Sequence, residues 1–459
     1  MINYGPSGDI QLFNIYLIFL LNVTTFRVFS EYFQGSKISA MQKDYTNTSF
    51  KDFENIAGQD VFATAADFQV YLNFLKANGH LNYRIESLTP VGPEMNLMLP
   101  GDTEPTWSVC LVSNDYLGFS QHPKIKEAVI RGTELFGTGS GASPAIGGHF
   151  VYHQQLEKKI AQFYRREEAI LYTTGYTANS ATLQCLLHKE DLAILDMAVH
   201  ASIYEGVIRT NVKTFLHNNL EMLEQVLKMA QHQYRTKMVI IDGVYSQDGD
   251  LAPLDQIAAL THRYGAYLVV DDAHGIGVTG ATGRGVIELY DAFEQVDIIT
   301  GTFSKALGNI GGYVIAKPEL INYLKFQSKQ HLFSTTATPA ILGIIRAIEL
   351  IDEEPQWRTK LWENIAYLKN GLNALGLDTG TTASAVIPVK VGNIPRTLEA
   401  GRRLLRAGIY TNPIMYPAVS KKDARIRMNV MATHTFEHLD KVLAAFADTR
   451  ELILNPDAR

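Results

Sequence analysis

The stretch DIITGTFSKALGNIGGY, residues 297–313, decides the fold. The run 296–300 reads as a buried strand that ends at Gly301. A short hydroxyl-bearing segment then presents one lysine, Lys305, followed by Gly308, Gly311, Gly312 and a second strand-like run, 313–316. A lysine is costly to bury and is normally left in water. Among Thr302, Ser304, Ala306 and glycines it reads either as a solvated turn lysine or as an amine in use. A desolvated lysine can lose its proton near neutral pH and form a Schiff base with an aldehyde.

The residues upstream favour the second reading. A strand-like run, 266–270, ends in Asp271-Asp272-Ala273-His274-Gly275. A carboxylate at the carboxyl end of such a strand can pair with a protonated pyridine nitrogen, and a histidine three residues on can reach the ring's phenolic oxygen. With a lysine after the next strand, this is the constellation that pyridoxal 5′-phosphate requires, an electron sink held by a lysine Schiff base and an aspartate partner. Asp271, His274 and Lys305 in that order are far more specific than any one of them.

Outward from this centre the chain alternates strands and helices. Strand-like runs at 169–172, 193–195, 238–241, 267–270, 296–300 and 313–316 are separated by helical patterns such as 178–187, 219–231 and 254–264. Continuous apolar strands with helices between them predict an α/β fold with a mostly parallel sheet covered on both faces. Ligands of such sheets bind beyond the carboxyl ends of the strands, where Asp271, His274 and Lys305 all fall. Thr174-Gly175-Tyr176-Thr177 opens a helix, so the amides of Gly175 and Tyr176 are free to bind an anion such as the cofactor phosphate. His200 follows the 193–196 strand and reads as a ring-stacking residue or a hydrogen-bonded structural one; Ser246, after the 238–242 strand, is a hydroxyl of similar standing. Asn114, in SNDYLG (113–118), could hold a substrate carboxylate or cap the helix that starts after Pro123. The glycine-rich FGTGSGASPAIGG (136–148) has no strand leading into it and no Walker lysine, which excludes a nucleotide-phosphate loop.

The segment after residue 316 changes character. Helices at 340–351, 356–375, 398–407 and 436–452 and strands at 385–391 and 425–430 predict a smaller α/β domain. Arg425 and Arg427 lie two apart on a strand and share a face; one reads as a bidentate clamp on a carboxylate, the pair together as surface residues. The expected division is an apolar extension over 1–40, an N-terminal arm over 41–107, a large cofactor-binding domain over 108–330 and a small C-terminal domain over 331–459.

Length and charge agree with an enzyme of this kind. At 459 residues, 46% hydrophobic and 19% charged, the chain is an ordinary globular protein with room for a large and a smaller domain. A net charge of −6 offers no basic footprint for nucleic acid. Two cysteines exclude a disulfide framework and fit a reducing cytoplasm. Thirteen histidines show no metal-ligand spacing, so no metal is expected. The stretch IQLFNIYLIFLLNVTTF (10–26) is short for a spanning helix and lacks the positive segment of a signal peptide. It reads as an upstream extension before a start at Met41, as a membrane-surface or single-pass anchor, or as a cleaved signal. Membrane association of a cytoplasmic enzyme is left open on that ground.

Seven motifs together resemble the α-oxoamine synthase family of fold-type I pyridoxal-phosphate enzymes: SNDYLG (113–118), TGYTAN (174–179), HASIYEG (200–206), DGVYSQDGD (242–250), DDAHGIGVTG (271–280), GTFSKALG (301–308) and FSTTATP (333–339). The resemblance runs from about Ser113 to Ala447. It implies condensation of an amino acid with an acyl-CoA, releasing coenzyme A and carbon dioxide. It also implies that Lys305 carries the cofactor and moves protons at the amino acid's α-carbon, Asp271 holds the pyridine nitrogen, His274 contacts the phenolic oxygen, His200 stacks on the ring and Ser246 lies close by. Gly175, Tyr176 and Thr302 would hold the phosphate, helped from the partner subunit by the segment matching Ser334 and Thr335. That implies a homodimer with shared sites. Arg427 matches the family's carboxylate-binding arginine. Within the family, MATHTFEHLD (431–440), NPIMYPAVS (412–420), HNN (217–219) and EEPQWRTKLW (353–362) are most similar to bacterial serine palmitoyltransferase. DDAHGIGV is equally at home in 8-amino-7-oxononanoate synthase, which often carries an arginine where Met415 stands. The expectation leans to the serine palmitoyltransferase type. The alternatives are 8-amino-7-oxononanoate synthase, which would join alanine to pimeloyl-CoA and against which Met415 counts, glycine C-acetyltransferase and, outside the family, an aminotransferase.

Overall fold

The computed structural model describes residues 45, 47–335 and 338–455; the apolar stretch 10–26 lies outside them. Residues up to Thr48 and those from Ser49 onward form separate units. In the first, the Thr48 amide donates to the Tyr45 carbonyl at 3.1 Å. The second holds every described strand and helix.

The strands, in chain order, are β1 (Glu86–Ser87), β2 (Glu94–Met98), β3 (Thr106–Cys110), β4 (Glu168–Tyr172), β5 (Leu192–Asp196), β6 (Asn211–Phe215), β7 (Lys237–Asp242), β8 (Tyr267–Asp271), β9 (Ile298–Thr302), β10 (Gly312–Ala316), β11 (Val386–Lys390), β12 (Ile409–Tyr410), β13 (Asn412–Ile414) and β14 (Arg425–Asn429). Among the described residues they form three sheets. The central one has seven strands in the order β4-β10-β9-β8-β7-β5-β6. From β9 to β6 all neighbours are parallel. β10 runs antiparallel between β9 and β4. Only residues 303–311 separate β9 from β10, too short for the crossover that a parallel neighbour needs, so the reversal is imposed by the loop that carries Lys305. Two smaller sheets, β1-β2-β3-β12 and β11-β14-β13, complete the described fold; β12 pairs parallel with β3, which ties the arm to the C-terminal part.

Successive side chains of a strand point to opposite faces, and both faces of the central sheet are dry. Leu268, Val270, Tyr313 and Ile315 belong to one apolar cluster with Leu156, Ile160 and Ile257 from covering helices. Val269, Val314 and Ala316 belong to the other, with Ala178, Ala181, Ile203 and Ile321. The second cluster is built by the helix Gly175–Leu186, whose small residues let it lie close to the strands.

The same alternation governs the two acidic residues at the end of β8. Asp271 continues the Val269 face, toward Asn179 on the helix Gly175–Leu186. Asp272 continues the Val270 face. Its Oδ2 accepts from the Tyr164 hydroxyl at 3.0 Å, and that hydroxyl lies 3.0 Å from the Tyr313 hydroxyl. No helix among the described residues is long and apolar enough to cross a membrane.

Candidate active site

Four strands deliver polar residues at one edge of the central sheet: Asp196 ends β5, Asp242 ends β7, Asp271 ends β8 and Thr302 ends β9. The β7–β8 register sets Asp242 directly beside Asp271. A pocket opens beyond this edge, lined by Gly175, Tyr176, Asn179, His200, Asp242, Val244, Ser246, Asp271, Ala273, His274, Thr302 and Lys305. Eight residues singled out from the sequence, Lys305, Asp271, His274, His200, Ser246, Thr302, Gly175 and Tyr176, therefore share one cavity.

Burial of the Lys305 ammonium pushes its pKa down to about 8, against the opposing attraction of Asp271. The amine is thus partly unprotonated near neutral pH, as a Schiff-base lysine must be. The solvated-turn reading of Lys305 does not hold. Burial also depresses both histidines: His274 falls well below its ordinary value, with the charges of Lys305 and Arg427 adding to the effect, and His200 falls despite the pull of Asp271. Both rings are neutral at pH 7. Asp242 is pushed up by burial and by the neighbouring Asp271 charge; its Oδ1 accepts from the His200 backbone amide at 3.3 Å.

Asp271 is 6% exposed. Its Oδ2 accepts from Asn179 Nδ2 at 2.6 Å and its Oδ1 from the Ala273 amide at 3.0 Å. His274 Nδ1 lies 2.6 Å from the Tyr116 hydroxyl. Tyr116 in turn is 3.1 Å from Asn114 Oδ1, which also accepts from Asn429 Nδ2 at 3.1 Å and Arg427 Nη2 at 3.4 Å. Arg427 Nε donates to the Ser246 carbonyl at 2.5 Å. Asn114 and Arg427 thus meet beside the pocket. Asn114 does not cap the helix Pro123–Phe136, whose cap position is His122. Arg425 and Arg427 are both buried rather than a surface pair; Arg425 is spent on Asp248 and on Asp423, 3.1 Å away.

The helix Gly175–Leu186 starts at the pocket wall. Thr174 caps it by accepting from the Thr177 amide at 3.0 Å, and the first amides of a helix have no partner within it. Gly175 permits the close approach: a Cβ there would sit 2.6 Å from Thr302 Cβ. Gly308 takes φ +66, and a Cβ there would sit 2.4 Å from the Ser120 amide nitrogen. Ser334 and Thr335 do not line this pocket. They are exposed and border a second cavity with Thr173, Thr177 and His331.

Asn179, Asp242 and Tyr116 were not singled out from the sequence. Each lies within a quoted motif. Asp242 had a readable signal, an acid at the end of an apolar strand one position over from Asp271; Asn179 and Tyr116 had none until the helix and loop were placed.

A buried amine of lowered pKa, a buried carboxylate, two neutral imidazoles and a helix N-terminus around one cavity fit pyridoxal 5′-phosphate in donor chemistry: an aldehyde partner, a pyridinium partner and an anion cradle.

The comparisons with known proteins agree. A family model described as aminotransferase class I and II matches residues 108–446. The 8-amino-7-oxononanoate synthase of Thermoanaerobacter pseudethanolicus is 42% identical over 339 residues, 73% of this chain and 86% of that protein. The synthase of the same name from Alkaliphilus metalliredigens is 40% identical over 359 residues, 77% of this chain and 90% of that one. A solved serine palmitoyltransferase from S. paucimobilis, bound to a PLP–myriocin aldimine, superposes with a TM-score of 0.81 at 28% identity, covering 86% of this chain and 99% of that one. The chain belongs to the aminotransferase class I and II family and, within it, to the α-oxoamine synthases, pyridoxal-phosphate-dependent acyltransferases. The lean toward the serine palmitoyltransferase type is the part these findings favour less: the relatives at about 40% identity carry the other name.

Proposed function

We propose that this protein is an 8-amino-7-oxononanoate synthase, condensing alanine with pimeloyl-CoA to an α-amino ketone with release of coenzyme A and carbon dioxide. The observation that carries the reading is the enclosure of Lys305 and Asp271 in one pocket with His200 and His274, taken with relatives of that name at 42% and 40% identity. Pyridoxal 5′-phosphate, when bound, supplies the sink for the electron pair left at the amino acid's α-carbon.

The chain's own groups do the rest. Lys305, with a pKa of about 8, is the amine that would bond the cofactor aldehyde and, once freed, would hold and move the proton at the amino acid's α-carbon. Asp271 would partner the protonated pyridine nitrogen. His274 would contact the phenolic oxygen, His200 would stack on the ring and Ser246 would lie close by it, all three lining the pocket. The amides of Gly175 and Tyr176 and the Thr302 hydroxyl would hold the phosphate. Arg427, with Asn114, holds the substrate carboxylate. Ser334 and Thr335, exposed outside this pocket, fit a homodimer in which that segment serves the phosphate of the other subunit. We place the enzyme in the cytoplasm, where Cys110 and Cys185 stay as free thiols.

The serine palmitoyltransferase reading keeps one specific support, the TM-score of 0.81 over 86% of the chain. A matrix of glycine, alanine, serine and cysteate against acetyl-, pimeloyl- and palmitoyl-CoA, read by thiol release and product mass, decides between them. Alanine with pimeloyl-CoA should exceed every other pair at least ten-fold. Serine with palmitoyl-CoA as the best pair would move the assignment to that enzyme. A keto acid formed without thiol release would make the protein an aminotransferase.

A further inference from the structure

Asn179 is 4% exposed and sits between the two groups that flank the pocket. Its amide uses every polar atom. One Nδ2 hydrogen goes to Asp271 Oδ2 at 2.6 Å and the other to Ser202 Oγ at 3.0 Å, while Oδ1 accepts from the Thr300 hydroxyl at 2.6 Å. Rotating the amide by half a turn would set its oxygen against the Asp271 carboxylate, acceptor on acceptor at 2.6 Å. The orientation is therefore forced.

The direction of the chain of bonds then propagates. Ser202 Oγ accepts from Asn179, so its own hydrogen is free to go to His200 Nδ1, 2.8 Å away. The Ser202 amide also points at that nitrogen, at 3.3 Å. With two donors aimed at Nδ1, the ring proton of neutral His200 belongs on Nε2. The Asp271 carboxylate is fixed from two sides by the same logic, by Asn179 at Oδ2 and by the Ala273 amide at Oδ1.

We propose that Asn179 is the positioning residue of the site: its two amide hydrogens orient the Asp271 carboxylate and, through Ser202, hold His200 in the Nε2-protonated tautomer with its ring plane fixed. The consequence for the cofactor rests on the pyridoxal-phosphate assignment; the hydrogen-bond polarity does not. A mutation here should change the acid–base behaviour of the bound chromophore before it changes substrate affinity.

The experiment uses holoenzyme with ¹⁵N-labelled histidine and the variants Asn179→Ala, Ser202→Ala and Ser202→Thr. Imidazole ¹⁵N shifts report the His200 tautomer; the visible band of the bound cofactor, titrated with pH in the absence of substrate, reports the Asp271 side. Wild type and Ser202→Thr should show the Nε2-protonated ring. Ser202→Ala, which keeps only the backbone amide as donor to Nδ1, should show a measurable admixture of the Nδ1-protonated tautomer with an unmoved cofactor affinity. Asn179→Ala should lose the tautomer bias, shift the pH titration of the band and weaken cofactor binding about ten-fold or more, the loss expected for a hydrogen bond to a charged group. If Asn179→Ala does not fold, Ser202→Ala against Ser202→Thr tests the His200 branch alone. An unchanged Nε2-protonated ring in Ser202→Ala, or an unchanged ring and band titration in Asn179→Ala, overturns the proposal. A protein with no cofactor band at all would instead remove the cofactor assignment, and the ¹⁵N shifts would still judge the bond polarity.

Discussion

Asp271 and Asp272 are consecutive residues at the end of β8, and the period of two along the strand sends them to opposite faces. Asp271 enters the pocket with Lys305, His200 and His274. Donors reach both its oxygens, one from Asn179 and one from the Ala273 amide. Asp272 enters the core beside Tyr164 and Tyr313, is fully buried, and is pushed up to about 8 by burial. Asp272 is the carboxyl that its burial keeps protonated near neutral pH. Burial alone does not make an acid functional. Donors reach both oxygens of each acid. What separates the two is the Lys305 amine and the imidazoles that share the pocket with Asp271, while Asp272 sits in the core under the repelling charge of Asp271.

Substitutions on the pocket face should abolish chemistry and spare the fold. Lys305→Ala should cut coenzyme A release by about 10³-fold or more, since it removes both nucleophile and base, with a melting temperature within a few degrees of wild type. Asp271→Asn should cut turnover about 10²-fold while the protein still binds the cofactor. Uptake of pyridoxal 5′-phosphate by the apo protein should rise about ten-fold per pH unit below the Lys305 value of about 8 and level off above it, because only the unprotonated amine reacts; a flat profile from pH 6 to 9 would contradict the lowered value.

The core face should behave in the opposite way. The folded-state value of Asp272, about 8, is above its unfolded one, so between about pH 4 and pH 8 the native state holds more protons than the unfolded state. Its contribution to stability is complete below about pH 4 and is lost as pH rises through 8, a change on the order of a few kcal/mol. Asp272→Asn should flatten that slope in denaturant titrations at several pH values and leave turnover within about three-fold, since the amide copies the neutral acid. The smallest effect should be that of Gly285→Ala, which puts a Cβ 1.7 Å from Asp272 Oδ2 at φ +71 and should lower stability by about 1–3 kcal/mol with kcat near wild type.

The sequence made most of this legible because buried strands and capped helices leave one-dimensional marks. The apolar runs around 169, 193, 238, 267 and 313 fall on β4, β5, β7, β8 and β10, and the helix expected over 254–264 is observed at Leu254–Arg263. β6, NVKTF, escaped because an edge strand with only Phe215 buried shows no apolar run. The strand expected at 296–300 is Ile298–Thr302, since Gly301 and Thr302 pair with β10 rather than ending the strand. The antiparallel β10 was unread, although the nine residues before it already forbid a crossover. Asn179 and Tyr116 went unnoticed for a different reason: their partners, Asp271 and His274, are remote in sequence and near only in the fold.

The most direct test is chemical. Protein loaded with pyridoxal 5′-phosphate is reduced with borohydride, digested and mapped by mass spectrometry. The phosphopyridoxyl group is expected on the peptide that contains Lys305 in wild type and on no peptide in Lys305→Ala. A stable label on any other lysine, or none in wild type, would contradict the assignment of this pocket as the catalytic one.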